Sequence, residues 1–461
     1  MKSAITICIL LIFFSCTKDG FITSPDASVS TSSDTLFFDT VFTNVGSITQ
    51  SFKVFNSNNQ KLKISSIRLT GGPSSAFKIN IDGVASPQIN DIEINKNDSI
   101  YIFVQVNVDP TSSTLPFILR DSIQINYNGN NKWVQLQAYG QNAIFYKNKI
   151  IDKNTTWTNT LPYVILGGIQ VDTGKTLQIE AGTKIYLHAD APFLVDGTLI
   201  VRGTKNEPVI FAGDRLDADY KDLPAGWPGI YFRNTSENNS MMHSIIKNAY
   251  QGLIVQNLPA ASNPKLQISR CIINNIYDAG IVGINSNIEA DNCLVYNCGK
   301  NISLQYGGHY RFTNCTVASF GNLYISHVDP VLSIYNYLPE TTGSATSPLN
   351  AVFQNCIFWG EGGSVDNEIV LKEEGSSSFE TIFDHCLYKA KDEIPNATFI
   401  SSIKNESPLF DSINISKNIY DFHFKNHPAS PAVDAGVASP FIYDLEDKKR
   451  DAKPDIGCYE R

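Results

Sequence analysis

The chain has 461 residues, with 36 Lys and Arg against 45 Asp and Glu, a net charge of −9 and a pI near 5.3. Without a basic tract, that balance argues against a nucleic-acid partner. The length allows two or three domains, and abundant Asn, Ser, Gly and β-branched residues with few amphipathic helical periods predict an all-β protein.

Residues 1–16 open with Lys2, continue in an apolar run from Ile5 to Phe14 and end in Ser15-Cys16. The run is too short to cross a bilayer and reads as the apolar region of an export signal. Ending at a Cys after a small residue, it resembles a bacterial lipoprotein signal, with Phe13 where such signals carry Leu as a departure. The resemblance implies that Cys16 is lipidated and that the protein is exported. That lipid would then be its sole hold on the outer membrane of a Gram-negative cell, on the periplasmic or the external side. Polar residues 17–33 read as a tether. Five Asp-Ser/Thr-aliphatic triplets, beginning at Asp34, Asp39, Asp98, Asp121 and Asp411, resemble acceptors of a bacterial O-glycosylation system; such short triplets also arise by chance in Ser/Thr-rich strands, which is the reading taken here.

Residues 34–141 alternate apolar and polar in short runs such as Ser99-Ile100-Tyr101-Ile102-Phe103-Val104 and Trp133-Val134-Gln135-Leu136, split by turn clusters such as Asn56-Ser57-Asn58-Asn59. About seven such strands in about a hundred residues predict a β-sandwich. The order Phe42-Thr43-Asn44-Val45-Gly46, Phe52-Lys53-Val54-Phe55-Asn56, Ile64-Ser65-Ser66-Ile67 resembles abnormal-spindle-type immunoglobulin-like domains, which implies a spacer or interaction module.

From about residue 150 the pattern changes. Five cysteines, Cys271, Cys293, Cys315, Cys356 and Cys386, sit in one local frame, and the first three are spaced 22 residues apart. A fixed period in the twenties predicts a solenoid of stacked supersecondary units. Counting by twos places Leu266 and Ile268, Ile288 and Ala290, Tyr310 and Phe312, Ala351 and Phe353, Thr381 and Phe383 on an inward face. The inward set restarts at each Cys and continues at Ile273, Val295, Val317, Phe358 and Tyr388. The phase breaks at Arg270, Asn292, Asn314, Asn355 and His385; Asn and His are enriched at positive φ, so each is a predicted one-residue left-handed corner between two strands. An earlier coil fits with Ser244 in the Cys position. Third strands are expected at Gly280–Val282, Ile302–Leu304, Leu323–Ile325 and Ile369–Leu371. Coils spaced about 4.8 Å apart hold parallel Cys side chains too far apart for an unstrained disulfide, so the cysteines are expected as buried free thiols.

Two further stretches carry a family resemblance. Gly174-Lys175-Thr176-Leu177-Gln178-Ile179-Glu180-Ala181-Gly182-Thr183 with Leu194-Val195-Asp196-Gly197-Thr198 resembles the opening coils of the pectate-lyase-like superfamily. Ala429-Ser430-Pro431-Ala432-Val433-Asp434-Ala435-Gly436 with Pro454-Asp455-Ile456-Gly457 resembles the closing segment of bacterial surface proteins of that fold. The resemblance implies a right-handed, single-stranded parallel β-helix over 150–461, following the sandwich. The Asp/Arg-rich end is expected to serve as its C-terminal cap; Asp444, Asp447, Asp451 and Asp455 offer a Ca²⁺ alternative without EF-hand spacing.

Such a fold does not fix an activity. The outward column four residues before Cys reads Gln267, Glu289, Arg311, and the column two before reads Ser269, Asp291, Thr313. Glu289, Asp291 and Arg311, with His309 at the edge, are the catalytic candidates. They offer two carboxyls for a hydrolase or a base and neutraliser for a lyase, against the alternative of a solvated ion pair. His327-Val328-Asp329 lies in a long excursion between 326 and 350 whose Tyr335 and Tyr337, with Trp359, are candidates for stacking on sugar rings. The catalytic sets of polygalacturonases and the Asp clusters of pectate lyases are not found, and no cofactor or metal is expected. A lipid-anchored envelope protein that binds a polysaccharide or a surface-protein partner without catalysis is the leading expectation. A polysaccharide lyase or hydrolase and a purely structural envelope component are the alternatives.

Overall fold

A computed structural model of the protein describes residues 20–43, 47–109, 117–217, 220–260, 263–339, 345–424 and 430–461. Residues 1–19 with Cys16, residues Asn44-Val45-Gly46 and Ala429 lie outside the described residues. The chain divides into two units, Met1–Asn142 and Ala143–Arg461.

The first unit is a two-sheet sandwich. One sheet orders Phe21–Ile22, Lys61–Leu69, Phe117–Tyr127, Asn130–Gln141 and Thr35–Phe42, with Gln88–Ile94 also on Lys61–Leu69; the other orders Val29–Thr31, Gln50–Asn56, Asp98–Val106, Phe77–Ile81 and Val84–Ala85. Strand alternation turns Ile100, Ile102, Val104 and Val106 inward while Tyr101 and Phe103 face out, as the two-residue period of a pleated strand requires. Both sheets feed one core, where Phe38 and Phe77 meet edge to face at 5.9 Å. The tether expected up to residue 33 is shorter than read. Phe21–Ile22 pairs with Lys61–Leu62 and Val29–Thr31 with Val54–Asn56, because Ile22, Ala27 and Val29 have core to pack against.

The second unit is a β-helix: 26 strands follow one another in a single parallel sheet, starting at Ile144–Ile151. Each coil contributes a strand before the corner (first face), a strand after it (second face) and a third strand (third face). The corners are where the residue order places them: φ is 52° at Arg270, 49° at Asn292, 53° at Asn314 and Asn355, 51° at His385, and 43° at His243 in the earlier coil. Every residue assigned to the inward face from Leu266 to Tyr388 is buried, and Leu266, Ile288, Tyr310, Ala351 and Thr381 stand in register. Phe353 stacks on Phe383 at 4.9 Å and Phe383 on Phe399 at 4.9 Å, the coil spacing itself. Cys271, Cys293, Cys315, Cys356 and Cys386 are free and buried. Burial pushes the thiols of the first four well up.

Two expectations are corrected. Leu323–Ile325 is not a third strand: the Asn322 side chain accepts the N–H groups of Tyr324 and Ile325, which turns the chain there, and the strand is Leu332–Tyr335. Nor does the C-terminal segment close an end of the solenoid. Residues 430–461, with the hairpin Phe410–Asn414/Ile419–Phe424, lie along the outside of the second face. There Leu445, Ile456, Cys458 and Tyr459 bury the outward side chains of Leu294, Ala318, Ile357, Trp359 and Leu387. This strap is pinned corner by corner. Asn355 donates to the Val437 carbonyl (2.7 Å), Asn314 to Ser439 Oγ (3.1 Å), and Arg450 donates to Asn292 Oδ1 (2.8 Å); Arg270 and His243 both meet Asp447. Gly457 is needed for the close approach, since a Cβ there would lie 2.8 Å from Ile357 Cδ1. Of the acids that offer a Ca²⁺ alternative in the sequence, Asp444 and Asp455 are engaged by backbone donors. Asp444 accepts the N–H groups of Glu446, Lys448 and Glu460, and Asp455 those of Asp434 and Arg461.

Candidate binding groove

The first face carries the polar column. Parallel pairing sets Gln267 beside Glu289, Glu289 beside Arg311, and Arg311 beside Val352; one step along, Ser269, Asp291, Thr313 and Gln354 are aligned. Gln267, Ser269, Glu289, Asp291, Arg311 and Thr313 line a groove of about 490 Å³ whose other walls are Ile200, Arg202, Ser240, Met242 and, from the strap, Phe441. The two acids and Arg311 therefore share one groove. His309 is exposed on the same strand, paired with Asn287, and does not line it.

The three charged groups differ in setting. Arg311 is exposed and, among the described residues, within 4 Å of no carboxylate, although Glu289 is its register neighbour. Extended strands hold both side chains nearly parallel, so adjacency does not by itself close an ion pair. Glu289 is half-buried and accepts one long bond from Gln267 Nε2 at 3.4 Å. Asp291 is only 8% exposed, and its Oδ2 accepts from Ser269 Oγ (2.8 Å) and Asn292 Nδ2 (2.9 Å). Burial raises its pKa above the ordinary carboxylate value despite these two donors, because a charge shielded from water is disfavoured. The solvated Glu289–Arg311 ion pair weighed from the sequence does not form.

The aromatic candidates do not form one site. Tyr335 ends a third-face strand and meets Tyr337 edge to face at 5.7 Å, with Lys372 Nζ 6.0 Å above the Tyr335 ring. Trp359 points out of the second face into the layer under the strap, 5% exposed, and its Nε1 donates to Glu361 at 2.8 Å. It borders a separate cleft of about 700 Å³ beside Phe410–Ser416. His327 turns inward, its Nε2 2.9 Å from Glu368 Oε1, with both residues buried. Sequence periodicity misses the groove walls Ser240, Met242 and Phe441. The first two come from a coil whose frame carries Ser instead of Cys, and Phe441 lies more than a hundred residues away in the strap.

Among the described residues, no group of three or more His, Cys, Asp or Glu side chains is placed to hold a metal ion, and no helix is long and apolar enough to cross a membrane. No family model matches the chain, and no curated protein matches it. Among solved structures it is similar to a family 123 glycoside hydrolase from Clostridium perfringens, at 10% identity over 26% of this chain and 30% of that one, with a TM-score of 0.19. It is likewise similar to the VesB protease of Vibrio cholerae, at 13% identity over 24% of this chain and 31% of that one, with a TM-score of 0.18. The chain thus spans less than a third of each, and likeness at that level carries no argument about activity.

Proposed function

We propose that this is a lipid-anchored envelope protein whose β-helix binds an extended glycan along the first-face groove without cleaving it. The observation that carries this reading is Arg311: an exposed cation with no carboxylate partner within 4 Å among the described residues, in a groove where Arg202, Glu289 and Asp291 are joined by hydroxyl, amide and apolar side chains. A sugar chain presents alternating hydroxyl rims and apolar faces, which such a lining complements. Binding is favoured over chemistry because Asp291, the carboxyl with the raised pKa, is 8% exposed and its Oδ2 is already engaged by Ser269 and Asn292. Anchoring at Cys16 and export rest on the apolar run Ile5–Phe14 and the Ser15-Cys16 that follows it; globomycin-sensitive processing of the full chain with labelled palmitate incorporation, lost in Cys16→Ser, is the expected result.

A second reading, hydrolysis, is favoured by one observation. Glu289 and Asp291 sit two apart on one strand face, about 6.8 Å between Cα atoms, and burial raises the Asp291 pKa. Two carboxyls on one face, one of them held as an acid, are the groups an inverting hydrolase uses. Retention on polysaccharides and release of reducing ends, measured together, separate the two: retention without product supports binding, and product lost in Asp291→Asn supports hydrolysis.

A further inference from the structure

The turn joining the second and third faces carries an exposed ring column that the groove does not use. Tyr277 N–H donates to the Ala249 carbonyl and Gly299 N–H to the Ile276 carbonyl, each at 3.0 Å. This parallel ladder sets Tyr250, Tyr277 and Gly299 one above another on successive coils. The two tyrosine rings stack, with centroids 5.5 Å apart and planes 26° from parallel, and the residues are 47% and 53% exposed. The next rung is bare. A Cβ at Gly299 would lie 2.3 Å from the Tyr277 carbonyl oxygen and 2.6 Å from that of Asp278, so the backbone allows no side chain there and the outer face of the Tyr277 ring stays open to a guest.

One flank of this column is polar and already organised. Gln251 Nε2 donates to Asp278 Oδ2 at 2.8 Å, Lys300 Nζ stands 3.9 Å from Asp278 Oδ1, and the Tyr231 hydroxyl reaches Gln251 Oε1 at 3.4 Å. A guest that lays a flat apolar face on Tyr277 and turns a rim of hydroxyls toward an amide, a carboxylate and an ammonium is a pyranose ring. A purely apolar guest would leave that rim without use, and a flat aromatic one would not answer its mix of donors and acceptors.

We infer that Tyr250 and Tyr277, with Gln251, Asp278 and Lys300, form a second glycan subsite in which a pyranose stacks on Tyr277 above Gly299. The inference rests on the glycan reading of the groove but concerns a different edge of the solenoid. Two weak sites on one rigid body hold a long polysaccharide far more tightly than either alone, because the second contact is made at high effective concentration.

Affinity electrophoresis of the chain from Thr17 onward through gels holding polygalacturonate, alginate, xylan or laminarin tests it. The arms are wild type, Tyr277→Ala, Tyr277→Trp, and the groove variant Gln267→Ala/Arg311→Ala. The expected result is that Tyr277→Ala melts as wild type does yet loses at least about tenfold in affinity for the retained polymer, while Tyr277→Trp holds or gains. If wild type is retained, the groove variant is not, and Tyr277→Ala is unaffected, the subsite is overturned and the groove reading stands. If no polymer retards wild type, both fall.

Discussion

The first and second faces of the solenoid are built from the same frame and meet opposite fates. On both, alternate residues enter one shared core, yet the outward residues of the first face are Gln267, Glu289, Arg311, Ser269 and Thr313, whereas those of the second are Leu294, Ala318, Ile357, Trp359 and Leu387. The first face meets water and forms a groove; the second is covered by a strap of about thirty C-terminal residues pinned to the corner side chains. One strand register thus yields a binding surface or a second hydrophobic layer according to what lies on it, and outward polarity tells the two apart.

The inner core is common to both faces, so charge placed there should be the most damaging. Phe312→Asp puts a carboxylate at a position 1% exposed, stacked against the Phe353 ring. It should cost several kcal/mol and yield insoluble or unfolded protein by circular dichroism; an unchanged melting temperature would refute the register. The outward positions should then split. Ile357→Asp, under the strap and fully buried, is expected to cost at least about 3 kcal/mol. Val352→Asp, at an outward and half-buried position of the first face beside Arg311, should stay within about 1 kcal/mol; equal melting shifts would erase the distinction between faces.

Removing the strap's buried cation should loosen the second face alone. Arg450 bridges Glu460 (3.1 Å), the carbonyls of Asp455 and Gly457, and Asn292, with its side chain 3% exposed. Arg450→Ala strands a buried carboxylate, a loss of about 3–5 kcal/mol. It is expected as fast amide exchange and proteolysis within 430–461 while the first-face strands keep their protection. A pH-dependent effect concerns Lys265, next to the first face at Leu266. It is fully buried, its ammonium donates to the carbonyls of Asn234 (3.0 Å) and Gln256 (2.5 Å), and burial lowers its pKa from 10.5 to about 8. The unfolded chain keeps this proton to higher pH than the folded one. The group's contribution to stability should therefore rise as pH goes from about 8 toward 10.5, by at most about 3 kcal/mol. Urea midpoints of wild type and Lys265→Met across that range check it: the variant should lack the gain.

The solenoid was legible because its signals are local. A corner at Asn314 needs only its neighbours to break the alternation, and Phe312 and Phe353 each stand two residues before their own corners, Asn314 and Asn355. The strap's place along the second face is not legible because its contacts span more than a hundred residues, as from Ser439 back to Asn314, and no period announces them. A signal was nonetheless present: Ile357-Phe358-Trp359 is apolar on both sides of the strand, which a water-facing second face would not carry. Apolar composition points to a third strand at Leu323–Ile325, but the Asn322 side chain turns the chain there. Glu289, Asp291 and Arg311 were brought together as expected, since register alone decides it. The burial of Asp291 was not readable, because residues outside its own column lie around it.

Retention of the chain from Thr17 onward on polygalacturonate, alginate, xylan and laminarin, assayed with reducing-end release and compared with Gln267→Ala/Arg311→Ala, tests the central claim most directly. The account predicts that wild type is retained without product and that the variant, folded and melting as wild type does, is not. Retention unchanged in the variant, or sugar released by wild type, would contradict it.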